Sequence, residues 1–420
     1  MSTRVGPKPK GPGFIRKICK LLLFTIGLID AAGNPIVSGG SAFATVGSGG
    51  TYSDVKEATD AGEQCIQIVG PGTVTETADN ALPDADIYVA VCAGVLWDTA
   101  ENRITSAHNR RFTVHLQGGS FRYQRSTGQR FFEGQSGSIF SITGDGSFEN
   151  QSAQSDTPLC SEDTQQNYNG YFDFTVPNLD RAGVRFGSGF SQAGRFNVIG
   201  SGTSCDRAWE EESNARGSVE YVRFQGSFRS TGTGAMVTAS PNGQATKYGR
   251  VETELASNAL FVIESVVLLW TDEVPFSHTI TLAGDARILS GAIRAGTINM
   301  GQFCQIKNCE ISQGFGVLKF ASGQGAKVVD CYTTGVTLLI VDNSFVQIIG
   351  CDSGGSIRLS GASAANSVVD RCILGNKSTG GSASIDIQSG CSNYSVTNNR
   401  VEQAVTDTPA TGYVEGNFVY

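Results

Sequence analysis

The hydrophobic positions of this chain fall into many short runs rather than a few long periodic ones. RFNVIGSG, SVEYVRFQGSF, ALFVIESVVLLW and VTLLIVDNSFVQIIG are each β-prone and are closed by Gly, Ser or Asn. Apolar residues either alternate with polar ones or run on unbroken, which is the pattern of strands buried on one face or on both. No long stretch repeats at helical spacing. The exception is short. Within TYSDVKEATDAGEQCIQIVGPGTVTET (51–77), Val55, Ala58 and Thr59 share one face of a helix that stops at Gly62, a residue suited to a helix C-terminus. Cys65 to Val69 then reads as a buried strand, and Gly70, Pro71 and Gly72 turn the chain.

The last third of the chain repeats itself. Aligning IKNCEI, VVDCYT, IIGCDS, VDRCIL, VTNNRV and VEGNFV superposes Cys309, Cys331, Cys351, Cys372, Asn399 and Asn417, at spacings of 22, 20, 21, 27 and 18 residues. A period near this length belongs to solenoids, in which each repeat is one coil and equal positions of successive coils stack ~4.8 Å apart. The repeat therefore predicts an interior column of four thiols, continued by two asparagines whose amides bond along the stack. Such a stack exposes unpaired backbone and apolar interior at its end, and a short amphipathic helix is suited to close it.

Tyr52, Ser53, Asp54, Val55, Glu57, Ala58, Asp60, Ala61, Gly62, Pro71, Gly72 and Thr73 together resemble the entry region of pectate-lyase-like right-handed parallel β-helix proteins, where such a helix precedes a strand and a P-G-T turn. The resemblance implies a fold and not an activity. The expected architecture is all-β: a right-handed parallel β-helix (solenoid) with a short amino-terminal capping helix and an amino-terminal docking arm. The arm is assigned to 1–40, the capping helix and first coils to 41–95, and the β-helix with inserted loops to 96–420. Residues 151–169, QSAQSDTPLCSEDTQQNYN, are expected to form one long polar loop.

Composition sharpens this picture. Glycine occupies 53 of 420 positions and proline only 11, so the excess reflects tight turns rather than low complexity. Charged residues make up 17% of the chain, below the usual ~25%, leaving a surface of Ser, Thr, Asn, Gln and Gly. A net charge of −8 argues against a nucleic-acid partner, which needs a dense basic patch. The eleven cysteines show neither CxxC pairs nor Cys/His spacing, so neither a metal site nor any cofactor is implied. The arm differs from the body. Arg4, Lys8, Lys10, Arg16, Lys17 and Lys20 precede the first acid, Asp30, and the apolar core at 21–29 is too short for the ~20 residues of a membrane span. Basic residues before it and Asp-Ala-Ala-Gly after it imitate a secretory signal. A basic, apolar arm also suits docking on a partner.

No catalytic motif of high specificity occurs. Carbohydrate-cleaving sites rest on paired carboxylates, and the best local candidate is CDRAWEEES, with Asp206, Glu210 and Glu211 as acids and Trp209 as a sugar-stacking ring. Its plain alternative is a solvated acidic turn. A second feature, HNRRFTVHLQGGSFRYQRSTGQRFF, interleaves Arg110, Arg111, Arg122 and Arg125 with aromatics that include Tyr123. Arginines and aromatics suit an acidic saccharide through bidentate bonds and ring stacking. Strands with arginine outside and aromatic inside give the same pattern. His278, downstream of Asp272 and Glu273, is either a base or a turn histidine bonded to backbone. The segment 260–270, LFVIESVVLLW, is apolar on both faces, and a second copy of the chain is the simplest cover for its outward side.

Taken together, these features resemble bacteriophage tailspikes and related virion appendages. That resemblance implies a homotrimer, attachment to other tail or capsid proteins of the virion through 1–40, and contact with host surface polysaccharide, with or without depolymerisation. A secreted polysaccharide lyase or glycoside hydrolase and a decoration protein that binds no glycan remain as alternatives. The chain is short for a spike and shows no separate trimerisation segment.

Overall fold

The computed structural model describes residues 43–107, 109–123, 131–150, 164–176, 184–186, 190–201, 208–211, 217–228, 235–238, 247–256, 258–273, 278–312, 317–320, 324–334, 338–375, 384–403, 405–407 and 411–419. Among them every strand pair is parallel, as a solenoid requires. Ala44–Gly47 pairs with Cys65–Val69, which pairs with Ile87–Cys92, which pairs with Arg111–Tyr123. The described strands form three parallel sheets of 26, 11 and 3 strands, one coil following the next. Gly72–Thr75 and Val95–Asp98 also stack and continue onto Arg111–Tyr123, so pairing runs unbroken past position 95. No helix among the described residues is long and apolar enough to cross a membrane. The arm at 1–40 lies outside the described residues.

Two kinds of coil make up the stack. In the first half, single strands of up to 13 residues sweep across two faces: Arg111–Tyr123, Ile139–Asn150, Gln165–Val176 and Phe190–Ser201. These coils enclose aromatic side chains. Phe112, Phe132 and Phe140 stack with ring centroids 5.2 to 5.8 Å apart, all fully buried. In the carboxy-terminal half the arc breaks into two short strands, as in Gln305–Lys307 with Cys309–Ser312 and Lys327–Val329 with Tyr332–Thr334. The break is a corner with left-handed backbone at Asn308, Asp330, Gly350, Arg371, Asn398 and Gly416, one residue per coil. Asn and Asp tolerate this conformation and Gly is free in it, which accounts for most of the column.

The next residue of each coil forms the predicted interior column. Cys309, Cys331, Cys351 and Cys372 are buried free thiols, each donating to the carbonyl two residues earlier at 3.1 to 3.5 Å. Asn399 and Asn417 continue it. The Asn399 Oδ1 accepts the Cys372 amide at 2.8 Å, and the Asn417 Oδ1 accepts the Asn399 Nδ2 at 2.9 Å. The side-chain amides thus bond along the axis, and they satisfy groups that would otherwise be stranded in an apolar interior.

A helix at Val55–Asp60 leans on the first coils. Asp54 caps it by accepting the Glu57 amide at 2.7 Å, and Val55 and Ala58 are buried in the core. The buried Glu76 carboxylate holds it in place, accepting Val55 N at 3.0 Å, Lys56 N at 3.1 Å and the Trp97 indole N–H at 2.7 Å. Burial raises the Glu76 pKa against the opposing pull of these donors. A carboxyl group whose pKa is raised on folding contributes most below its unfolded pKa and loses that contribution as pH rises through the folded value. Amide-exchange protection at Val55 and Lys56 is therefore expected to lose a component as pH rises above the ordinary carboxylate range, a component that Glu76→Gln removes. Identical pH profiles in wild type and variant would contradict this role.

One sequence expectation changes. Residues 165–169 are not loop, because Gln165–Val176 is a strand, with Thr164, Gln166 and Tyr168 fully buried. The polar alphabet hid a period of two, since the interior here accepts a hydroxyl and an amide, with the Tyr168 hydroxyl donating to Gln166 at 3.3 Å. The segment Leu260–Ile263 and Val266–Asp272 is apolar on both faces as read: Phe261, Ile263, Val267 and Trp270 point inward, while Leu260, Val262, Val266 and Leu269 are partly exposed and Leu268 is 46% exposed.

Candidate functional site

The acidic candidate does not form a surface site within the described residues. Trp209–Glu211 is a strand, so its side chains alternate inward, outward and inward. The Trp209 ring is fully buried, its N–H donating to the Tyr248 hydroxyl at 2.9 Å, and that hydroxyl in turn donates to the buried Glu211 carboxylate. Burial, followed by the Glu211 charge, pushes the Tyr248 phenol well above its ordinary range. Trp209 and Glu211 thus line the interior, and only Glu210 faces partly outward. Asp206 lies outside the described residues.

The arginine-rich candidate divides the same way. Tyr123 is fully buried. Arg122 stands outside between Glu149 at 2.9 Å and Asp98 at 3.7 Å, in a ladder built by the register Asp98, Arg122, Glu149. Arg110 pairs with Asp84 at 2.6 Å, the exposed Arg111 donates its backbone N–H to Asp86, and Arg125 lies outside the described residues. His278 is fully buried, with its ring edge-on to Phe261 and its Nε2 3.4 Å from Asp272. No metal-binding cluster occurs among the described residues.

The flank of the long coils carries a different constellation. Gln165–Val176, Phe190–Ser201, Ser218–Ser227 and Lys247–Leu255 lie side by side, and their register places Tyr171, Arg195, Tyr221 and Arg250 in one outward column. Each follows a corner residue, Gly170, Gly194, Glu220 or Gly249, and the three glycines are close-packed. A Cβ at Gly194 would stand 2.6 Å from the Gly170 carbonyl oxygen, and one at Gly249 would stand 2.5 Å from that of Glu220. The corner therefore fixes where the column points. With Glu220, these four side chains line an open cleft of about 350 Å³. Arg195 pairs with Glu220 at 2.5 Å. Arg250 lies over the Tyr221 ring, 5.8 Å from its centroid, and bonds Glu252 at 2.6 Å. Burial, with help from Glu252, pushes the Tyr221 phenol up to about 12, so it remains an O–H donor at neutral pH.

Beside the cleft, Arg223 gathers Glu254 at 2.7 Å and Glu252 and Glu273 at 3.3 Å each. The Glu273 pKa is raised, first by its hydrogen bond with Glu252 and then by burial. Both carboxyl groups lie against the Arg223 guanidinium. The arrangement thus serves to fix Arg223 and Arg250.

Sequence reasoning missed this column because each coil contributes a single residue. The signal was present in the alignment NGYFDF, AGRFNV, VEYVRF, YGRVET, whose third positions are Tyr171, Arg195, Tyr221 and Arg250. In comparisons with protein-family models, curated proteins and solved structures, nothing matched this chain. The fold and flank define its class: a parallel β-solenoid with a polar, aromatic cleft along one side.

Proposed function

We propose that the chain is a virion appendage of the tailspike kind that binds a host surface polysaccharide along this flank. The observation that supports the reading is the Tyr171, Arg195, Tyr221, Arg250 column. It offers ring faces and fixed hydrogen-bond donors in a shallow, open cleft on a rigid wall, which suits an extended glycan better than a compact small molecule. The sparsely charged, glycine-rich surface agrees with an extracellular particle. The proposal keeps the homotrimer and the attachment through 1–40. Binding rather than cleavage is the role assigned, since the acids beside the cleft, Glu252, Glu254 and Glu273, are engaged with Arg223 and Arg250.

Tyr221→Ala is expected to weaken adhesion of the purified chain to cell-surface polysaccharide about tenfold, the scale of one aromatic contact. Surface plasmon resonance on immobilised polysaccharide measures this directly. Unchanged adhesion in a folded Tyr221→Ala protein would remove the cleft from the function.

A further inference from the structure

We infer that the glycan taken by this flank is acidic, with a carboxylate on every second sugar, and runs along the solenoid axis. The inference rests on the polysaccharide reading above and adds the class of ligand.

Its basis is periodicity. Successive residues of the column are one coil apart, ~4.8 Å. A pyranose unit in an extended chain advances by a similar length, so one sugar sits over each coil. Tyr171, Arg195, Tyr221 and Arg250 then present ring, guanidinium, ring and guanidinium in turn. The two guanidinium groups are two coils apart, about 9.6 Å, which corresponds to the repeat of a disaccharide. Tyrosine meets the apolar face of one sugar, and arginine meets a carboxylate on the next with its bidentate fork.

The charges allow this. Each cleft arginine has one carboxylate partner, Glu220 for Arg195 and Glu252 for Arg250, so a ligand carboxylate enters by exchange with these partners. The Arg195 and Glu220 side chains are 56% and 59% exposed, and an exposed pair of this kind holds weakly, so a ligand carboxylate displaces it readily. Arg250 is held differently. Its bond to Glu252 and its place over Tyr221 keep the guanidinium oriented before any ligand arrives. A neutral polymer would leave both arginines with their present partners and gain nothing from the alternation. Single-stranded nucleic acid also stacks on aromatics beside arginine, but the Glu252, Glu254 and Glu273 group next to the cleft disfavours a phosphate at every step.

The test is calorimetric titration of the full chain with hyaluronate oligosaccharide, its carboxyl-reduced form, polygalacturonate oligosaccharide and a thymidine oligonucleotide. Hyaluronate is expected to bind, with carboxyl reduction, Arg195→Gln and Arg250→Gln each weakening it about tenfold. Thermal melting reports whether the variants remain folded, and Arg195→Lys separates the planar fork from charge alone by restoring little. No binding of hyaluronate, equal binding of the reduced polymer, indifference to both arginine variants, or tighter oligonucleotide binding would each overturn the assignment. Tighter binding of polygalacturonate, which carries a carboxylate on every residue, would overturn the alternation. Adhesion to cell-surface polysaccharide that is lost in Tyr221→Ala but kept in both arginine variants would refute the acidic ligand while sparing the proposed function. Adhesion kept in all three variants would refute both.

Discussion

Trp209→Ala is expected to lower the stability of the chain by about 4 kcal/mol, within the range for truncating a buried tryptophan. The ring is fully enclosed, packs edge-on against Phe196 at 5.2 Å, and donates to the Tyr248 hydroxyl. Removing it leaves a cavity and takes one donor from a buried chain of polar groups that reaches Glu211, a combination that costs more than lost apolar contact alone. Denaturant unfolding measures the loss. Trp209→Phe retains most of the volume and is expected to cost less than half as much, with adhesion to polysaccharide unchanged below its melting point. A Trp209→Ala protein of native stability that no longer adheres would return Trp209 to the sugar-stacking role read from the sequence.

Gly144→Ala is expected to be nearly as damaging, at about 3 kcal/mol. Gly144 has φ +82° and sits in the corner where the long strands bend. A Cβ there would fall within van der Waals distance of the Leu116 carbonyl oxygen and press on the His115 ring. The obstructing atom is backbone, so no rotamer change relieves it. Gly94 supplies the contrast. Its φ is +78°, yet nothing lies within 4 Å of a Cβ built on it, so Gly94→Ala should cost only the conformational strain, about 1 kcal/mol. Equal melting temperatures for the two variants would show that the corner relaxes and that close stacking does not fix it.

The parts of this molecule legible in its sequence are those in which one residue type recurs at one position. The thiol and asparagine column could be read because cysteine is rare enough for its spacing to stand out, and the coils that carry it are short and regular. The capping helix could be read because three buried positions fall at helical spacing beside a glycine stop. The long coils resisted for a physical reason. Their interior takes Gln166, Glu211, Asp272 and His278 as well as phenyl rings, and a polar residue buried inside is indistinguishable in sequence from one facing water. Residues 165–169 looked like loop on that account. The flank column was illegible as a cluster because its members lie 24 to 29 positions apart, and it becomes visible only when coils are aligned on their corners.

The change from long strands to short ones along the stack has a mechanical consequence. Each coil bonds only to its neighbours, so tension applied parallel to the axis passes through every boundary in series, and the rupture force is that of the weakest one rather than the mean. Asp352–Ser353 meets Ile373–Leu374 through two-residue strands, whereas Ile139–Asn150 meets Gln165–Val176 over eleven paired positions. Under load the carboxy-terminal coils peel first, while the cleft-bearing wall keeps its shape.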